Sequence, residues 1–236
     1  MIDFRGSHFE KEIILWGVRW YVAYSISYCQ LEEMLRERGV SVDHSTLNRW
    51  VIKYAPEVEK QFRRRQRAVG RSWRVDETSV KIKGQWASRY RGVDNMGQPV
   101  DLLRSERREM AVAKRFVPQA LKMHGVPTKV TLEGYAASHR AVAEVQREGL
   151  CPVPLGVRTH RSLNNVLEQD QRAVKRVVRP MLGFTSFWSA RCTIAGVEVM
   201  HAIRKEQLVT TSNERETPAE QFYSLAVKVN IPSDKV

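Results

Sequence analysis

The sequence predicts an α/β protein: an all-helical N-terminal domain ahead of a domain built on a mixed sheet. Three observations carry this expectation. Residues 9–54 contain three stretches of helical apolar spacing, separated by short turns rich in Ser and Gly. From Trp73 the pattern changes to three β-branched, strand-like stretches in succession. Beyond residue 109, helical and strand-like stretches alternate, which is the order that packs helices on a sheet.

The first helix is expected over residues 9–24, where Ile13, Ile14, Trp16, Gly17, Trp20, Tyr21 and Tyr24 form one broad apolar face. Ser25-Ile26-Ser27 interrupts it, and Ser27 is suited to cap the next helix. That helix runs from Tyr28 to Arg38, buries Leu31, Met34 and Leu35, and stops at Gly39. Asp43 is the cap candidate for a third helix, His44 to Tyr54, expected to end before Ala55-Pro56. Helix, short Gly-containing turn, helix is the helix-turn-helix pattern. In its second helix Leu47, Trp50 and Val51 face inward, leaving Ser45, Thr46, Asn48, Arg49 and Lys53 for phosphates and base edges. A plain helical hairpin is the bland alternative.

Three strands follow, Trp73–Lys83, Gln85–Val93 and Gln98–Arg104, joined by turns at Gly84 and at Asp94-Asn95-Met96-Gly97. A helix is expected over 109–123, a strand over 128–132, a helix over 136–148 and an extended piece at 151–154. Long helices are then expected over Leu163–Val178 and Phe187–Gln207, with a short one in QFYSLAVKV near the C-terminus. This is the element order of the RNase H-like fold. The expected organisation is residues 1–60 as the helix-turn-helix domain, 61–72 as a basic linker, 73–207 as the sheet domain and 208–236 as a polar tail with a short helix.

The charge points to a partner. The chain of 236 residues carries 39 Lys+Arg against 26 Asp+Glu, a formal net charge of +13. The excess is clustered at Phe62-Arg63-Arg64-Arg65-Gln66-Arg67, continued by Arg71 and Arg74, which favours a polyanion such as nucleic acid over general solubility. Three scattered cysteines with no CxxC pair argue against a disulfide framework or a zinc ribbon and fit a reducing cytosol. The six His show no metal-ligand spacing, so zinc is not expected. The charged N-terminus does not read as a signal peptide, and no apolar stretch is long enough to span a membrane.

Three acids stand out. Asp76 lies mid-strand among apolar and β-branched neighbours, where an acid is costly to bury without a cation or partner. Glu133 ends the strand of VPTKVTLEGYAASHR, at the C-terminal strand end where α/β proteins bind ligands. Glu168 sits on the long helix, one turn from Asn164, Asn165 and Arg172. Three hard oxygen donors suit Mg²⁺, and a pair of such ions serves phosphoryl transfer.

HFEKEIILWGVRWYVAY, ISYCQLEEMLRERGVSVDHSTLNRWVIKYAPE, WRVDETSVKIKGQW, LNNVLEQDQRAVKR and PMLGFTSFWSARCTIAGVEVMHAIRKEQL together resemble the insertion-sequence-six family of bacterial DDE transposases, up to about residue 225. The resemblance implies a helix-turn-helix that recognises terminal inverted repeats, followed by an RNase H-like DDE catalytic domain. It implies metal-dependent cleavage and joining of DNA 3′ ends, with two Mg²⁺ ions expected and Mn²⁺ able to substitute. Asp76, Glu133 and Glu168 become the catalytic, metal-holding acids, and the 35-residue spacing of the last two agrees with the family. Double-stranded DNA (inverted repeats and target) and a second protomer are the implied partners, without a membrane, in the bacterial cytoplasm on the nucleoid. Arg63, Arg64, Arg65, Arg172, Lys175 and Arg176 join the expected DNA contacts.

The chain also departs from the family. Glu133 stands where the family has Asp, Gln171 where His is usual, and Ser79 and Ser162 where Tyr is usual. One added methylene moves the oxygens of a metal ligand, and a misplacement of about 1 Å can cost roughly a hundredfold in rate. Reduced or absent catalysis on a kept scaffold is therefore expected. The alternative is a catalytically inactive DNA-binding remnant that occupies inverted repeats or modulates active copies. Around the acids the bland readings are a buried Asp76–Arg pair, a helix-start role for Glu133 and solvated charges at Glu168, Asp170, Lys175 and Arg176. Trp86, Phe187, Trp188 and the aromatic residues of 16–24 read as core.

Overall fold

The structure is a computed structural model. It describes the backbone of residues 2–105, 120–132, 143, 146–149, 156–159, 165–181, 183–210 and 215–227, with side chains except at 76–81, 86–90, 101–105, 159 and 165–167. The chain divides into two compact units that do not follow chain order. One comprises residues 1–67, 174–182 and 188–236; the other comprises 68–173 and 183–187.

The first unit is helical. Helix α1 (Lys11–Ala23) buries Ile14, Leu15, Val18 and Val22. Helix α2 (Tyr28–Arg36) starts at the expected cap, where Ser27 Oγ accepts from Gln30 N–H while the Gln30 side chain accepts from Ser27 N–H. Gly39 adopts φ +75°, a conformation that costs a residue with a Cβ, and the Val40 N–H returns to the Leu35 carbonyl.

Helix α3 starts on the Asp43 cap, as expected, but its end differs. It runs from His44 to Arg64, straight through Pro56. Proline removes one backbone hydrogen bond and crowds the preceding turn. Here the apolar stripe continues past it through Tyr54, Ala55, Val58 and Phe62, all buried. Packing of that stripe outweighs the local break, and the first part of the expected basic linker is helix. Two later helices, α5 (Phe187–Arg204, from Trp188 onward) and α6 (Pro218–Ser224), also lie in this unit. On α5, Gly196 lets the helix approach Val22 and Ala55: a Cβ there would lie 2.6 Å from Val22 Cγ1.

The second unit contains the sheet. β1 (Ser72–Ile82), β2 (Gln85–Asp94), β3 (Pro99–Ser105), β4 (Lys129–Leu132) and β5 (Gly156–Thr159) lie in the order β3-β2-β1-β4-β5. β1, β2 and β3 form an antiparallel meander, and β4 and β5 add parallel strands beside β1. The mixed sheet and its strand order are those of the RNase H-like fold expected above. β1 and β2 are joined at Lys83-Gly84, both at positive φ (47° and 77°), as a two-residue hairpin turn requires. The next turn is organised by Asp94, whose buried carboxylate accepts from the N–H groups of Gly70 (2.7 Å), Met96 (2.9 Å) and Gln98 (2.8 Å). Trp73, Val100 and Ala120 form a buried cluster in this unit.

Helix α4 (Asn165–Val178) belongs to the sheet unit up to Ala173 and to the helical unit from Val174. Two aromatic expectations change. Trp188, read as core, is 57% exposed, with Arg191 stacked 5.7 Å from its ring. Tyr24 is also exposed, and Arg19 lies over it.

Candidate active site and nucleic-acid contacts

The parallel pairing of β1 with β4 builds one edge of the candidate site. Val75 pairs with Leu132, the last residue of β4, so position 76 follows directly after the paired end of the two strands. Ligands bind beyond such carboxyl ends of strands. Glu133 comes next in sequence after Leu132 but lies outside the described residues, as do the Asp76 side chain, Ser162 and the Ser79 side chain.

Glu168 occupies the first turn of α4 and is exposed. Residues two apart on a helix point about 200° apart, so Asp170 faces elsewhere. It is 3% exposed and forms an ion pair with Arg91 of β2, itself 1% exposed. This corrects the reading of Asp170 as a solvated neighbour: a buried guanidinium needs an anion, and Asp170 supplies it. Arg91 is the register partner of Asp76 across β1 and β2. The sequence carried a signal for the pair, since an Arg between Tyr90 and Gly92-Val93 in a sheet strand requires a carboxylate from another element. Gln171 is likewise buried.

The three acids supply carboxylate oxygens alone, which suits a hard cation such as Mg²⁺. Among the described side chains no group of three or more His, Cys, Asp or Glu could hold a metal ion; the side chains of Asp76 and Glu133 are outside that set.

The N-terminus of α3 is closed by acids. Asp43 accepts from the N–H groups of Ser45 (2.9 Å) and Thr46 (3.0 Å), from the Ser45 hydroxyl and from the Thr46 hydroxyl (2.7 Å). The hydrogen bonds from Ser45 and then Thr46 hold the Asp43 carboxyl well below the usual carboxylate range. Glu32 of α2 accepts from His44 N–H (2.9 Å) and pairs with Arg36. The hydroxyl donors of Ser45 and Thr46 are thus engaged within the helix cap. Asn48, Arg49 and Lys53 are exposed; Arg49 donates to Thr46 Oγ1 (2.7 Å) and Lys53 lies over the Tyr54 ring. Leu47, Trp50 and Val51 are buried, as the spacing requires.

The basic run separates into unlike residues. Arg64 is exposed, and Arg63 pairs with Glu59 one turn back (2.8 Å). Arg65 is buried, donating to the Ser224 carbonyl and hydroxyl (both 3.1 Å) and to the Val209 carbonyl (3.2 Å). Burial pushes its guanidinium pKa down, against the pull of Glu216. Arg65 therefore ties α3 to the C-terminal segment and leaves the set of residues available to DNA. On α4, Arg172 and Arg176 are exposed and Lys175 is half-buried.

A family model described as a DDE domain, of the IS240 type, matches residues 70–207. The transposase for insertion sequence-like element IS431mec of Staphylococcus aureus (strain Mu50) is 35% identical over 204 residues, covering 86% of this chain and 89% of its own. The chain belongs to the insertion-sequence-six family of DDE transposases. A second relative in this family, the transposase for insertion sequence element IS257 in transposon Tn4003 of Staphylococcus aureus, is also 35% identical, with the same coverage. Among solved structures, the HTLV-2 integrase catalytic core domain in complex with magnesium is similar at TM-score 0.42 and 11% identity, over 57% of this chain and 88% of that one. The catalytic core domain of BIV integrase is similar at TM-score 0.40 and 13% identity, over 64% and 93%. Among the described residues of this transposase-family chain, no helix is long and apolar enough to cross a membrane.

Proposed function

We propose that this chain binds the terminal inverted repeats of its element and carries out metal-dependent 3′-end cleavage and strand transfer. The observation that supports the reading most is the β1–β4 register, which ends at Val75 and Leu132, directly before Asp76 and Glu133 in sequence. Glu168, exposed in the first turn of α4, is the third acid. Asp76, Glu133 and Glu168 would hold Mg²⁺, or Mn²⁺ in its place, which when bound lowers the pKa of the attacking water or 3′-hydroxyl and steadies the leaving oxygen. The carboxylates form no covalent bond to DNA; they orient the reacting groups for in-line attack. Asn48, Arg49 and Lys53 of α3, in a helix-turn-helix over residues 1–60, read and hold the repeat, with Arg64 at the far end of the same helix as a further phosphate contact. Arg172, Lys175 and Arg176 hold phosphates near the acids of the catalytic domain, residues 73–207. A pair of protomers brings two ends together on the bacterial nucleoid.

A second reading rests on Glu133 standing in place of the family's Asp, with Gln171 in place of His. It gives a scaffold that binds repeats but does not cut. The deciding experiment measures 3′-end nicking and strand transfer on the element's own terminal repeat, in Mg²⁺ and in Mn²⁺, for the natural protein and for Glu133→Asp. Activity of the natural protein, lost on Asp76→Ala, supports the enzyme. Activity only in Glu133→Asp assigns the fault to one methylene. Repeat binding without reaction in either protein favours the silent binder, and absence of repeat binding overturns both readings.

A further inference from the structure

We infer that the buried Arg91–Asp170 ion pair is a positioning device: it fixes the helix carrying Glu168 against the strand pair carrying Asp76, and so sets the geometry in which the acids hold a cation. The inference rests on the reading of Asp76 and Glu168 as metal-holding acids. Three observations carry it. Asp170 lies two residues beyond Glu168 on α4, a rise of about 3 Å along one rigid helix. Arg91 is the residue of β2 directly opposite Asp76 of β1. Both side chains of the pair are 1% exposed.

One ion pair thus links the backbone neighbourhoods of two acids that are 92 residues apart in sequence. Stability alone is a poor reason for this arrangement, because desolvating two charges offsets most of their attraction, and apolar residues of similar volume do as well or better. Orientation is a better reason. A guanidinium presents a planar, rigid fork to a carboxylate, whereas apolar side chains can slide past one another. Mg²⁺ demands near-ideal octahedral geometry, so a helix free to shift by a fraction of an ångström would bind it less well. Arg91 and Asp170 are positioning residues; neither is proposed to touch the cation or DNA.

The test compares full-length natural protein, Asp76→Ala, the double variant Arg91→Met/Asp170→Leu, and Asp170→Glu. Asp170→Glu keeps the charge pair while lengthening it, and serves if the double variant fails to fold. Mn²⁺ affinity is read by electron paramagnetic resonance without DNA, beside the melting temperature and repeat affinity. The expected result is Mn²⁺ binding weakened about tenfold or more, the size seen when groups behind metal ligands are changed, with repeat affinity close to natural in the folded variants and melting temperature close to natural in the double variant. Natural Mn²⁺ affinity in the folded variants, with Asp76→Ala binding lost, overturns the positioning role alone. Unchanged Mn²⁺ affinity in Asp76→Ala overturns the underlying site as well.

Discussion

Asp43 shows how one residue sets what a surface can bind. Its carboxylate takes the Ser45 and Thr46 N–H groups together with two hydroxyls while Glu32 takes that of His44, so the backbone donors at the start of α3 are already occupied. On this face the exposed side chains of Asn48, Arg49 and Lys53 remain as the proposed DNA contacts. The cap also titrates. Its folded pKa is depressed, so its stabilisation is complete above about pH 4, the unfolded aspartate value, and is lost as pH falls through the depressed folded value. Thermal melts of natural protein and Asp43→Ala are expected to differ by a constant amount from pH 5 to 7 and to draw together progressively as pH falls below about 4. A gap that widens on acidification would mean that the ionised Asp43 carboxylate does not stabilise the helix start. Arg65 teaches the converse. Its place in a basic run suggests a phosphate ligand, yet Ser224, 159 residues away, takes its guanidinium inside the fold.

At the scale of elements, local chemistry and packing decide different things. Starts and turns follow local chemistry: the Ser27–Gln30 capping box, the Asp43 cap, the Lys83-Gly84 hairpin and the Thr217–Glu220 box that opens α6. The end of α3 follows packing, since Val58 and Phe62 draw the helix on beyond Pro56. The helix–helix contact at Gly196 also follows packing, and it gives a sharp expectation. Gly196→Ala gains up to about 1 kcal/mol of helix propensity. It also sets a methyl 2.6 Å from Val22 Cγ1 and 3.1 Å from Ala55 Cβ, and such overpacking costs about 1–3 kcal/mol. The clash wins, so Gly196→Ala should lower the urea midpoint at unchanged slope. A rise in the midpoint would mean that α1 and α5 separate without cost.

For the whole molecule, the net charge of +13 leads to the expectation that the proposed binding to DNA weakens with salt. The logarithm of the repeat-binding constant should fall linearly with the logarithm of salt, by about 0.9 per phosphate neutralised. Lys53→Ala should reduce that slope by about 1, while Arg49→Ala should do the same or relax discrimination between repeat sequences, according to whether it meets phosphate or base. Arg65→Met should leave the slope unchanged and lower stability. Equal slopes for all three variants would move the DNA-contact surface away from α3.

The amino-acid pattern alone gave the α/β class, the order of the described elements from α1 to β4, the capped starts at Ser27 and Asp43 and the three acids worth testing. Those features depend on neighbours a few residues away: a cap three positions from its donor, an apolar period, a turn glycine. The burial of Asp170 against Arg91, the withdrawal of Arg65 from the surface, the passage of α3 through Pro56 and the exposure of Trp188 came to light only in the folded chain. Each of these depends on which distant residue arrives beside it. A charge reads as solvated until its partner is known, and a proline reads as a stop until the core beyond it is seen. The sheet is the intermediate case. The stretches of β1 to β4 were legible one by one, while β5 falls at Gly156–Thr159, beyond the extended piece expected at 151–154; the pairing of Val75 with Leu132, which brings position 76 to the end of β4, exists only once the two strands lie parallel.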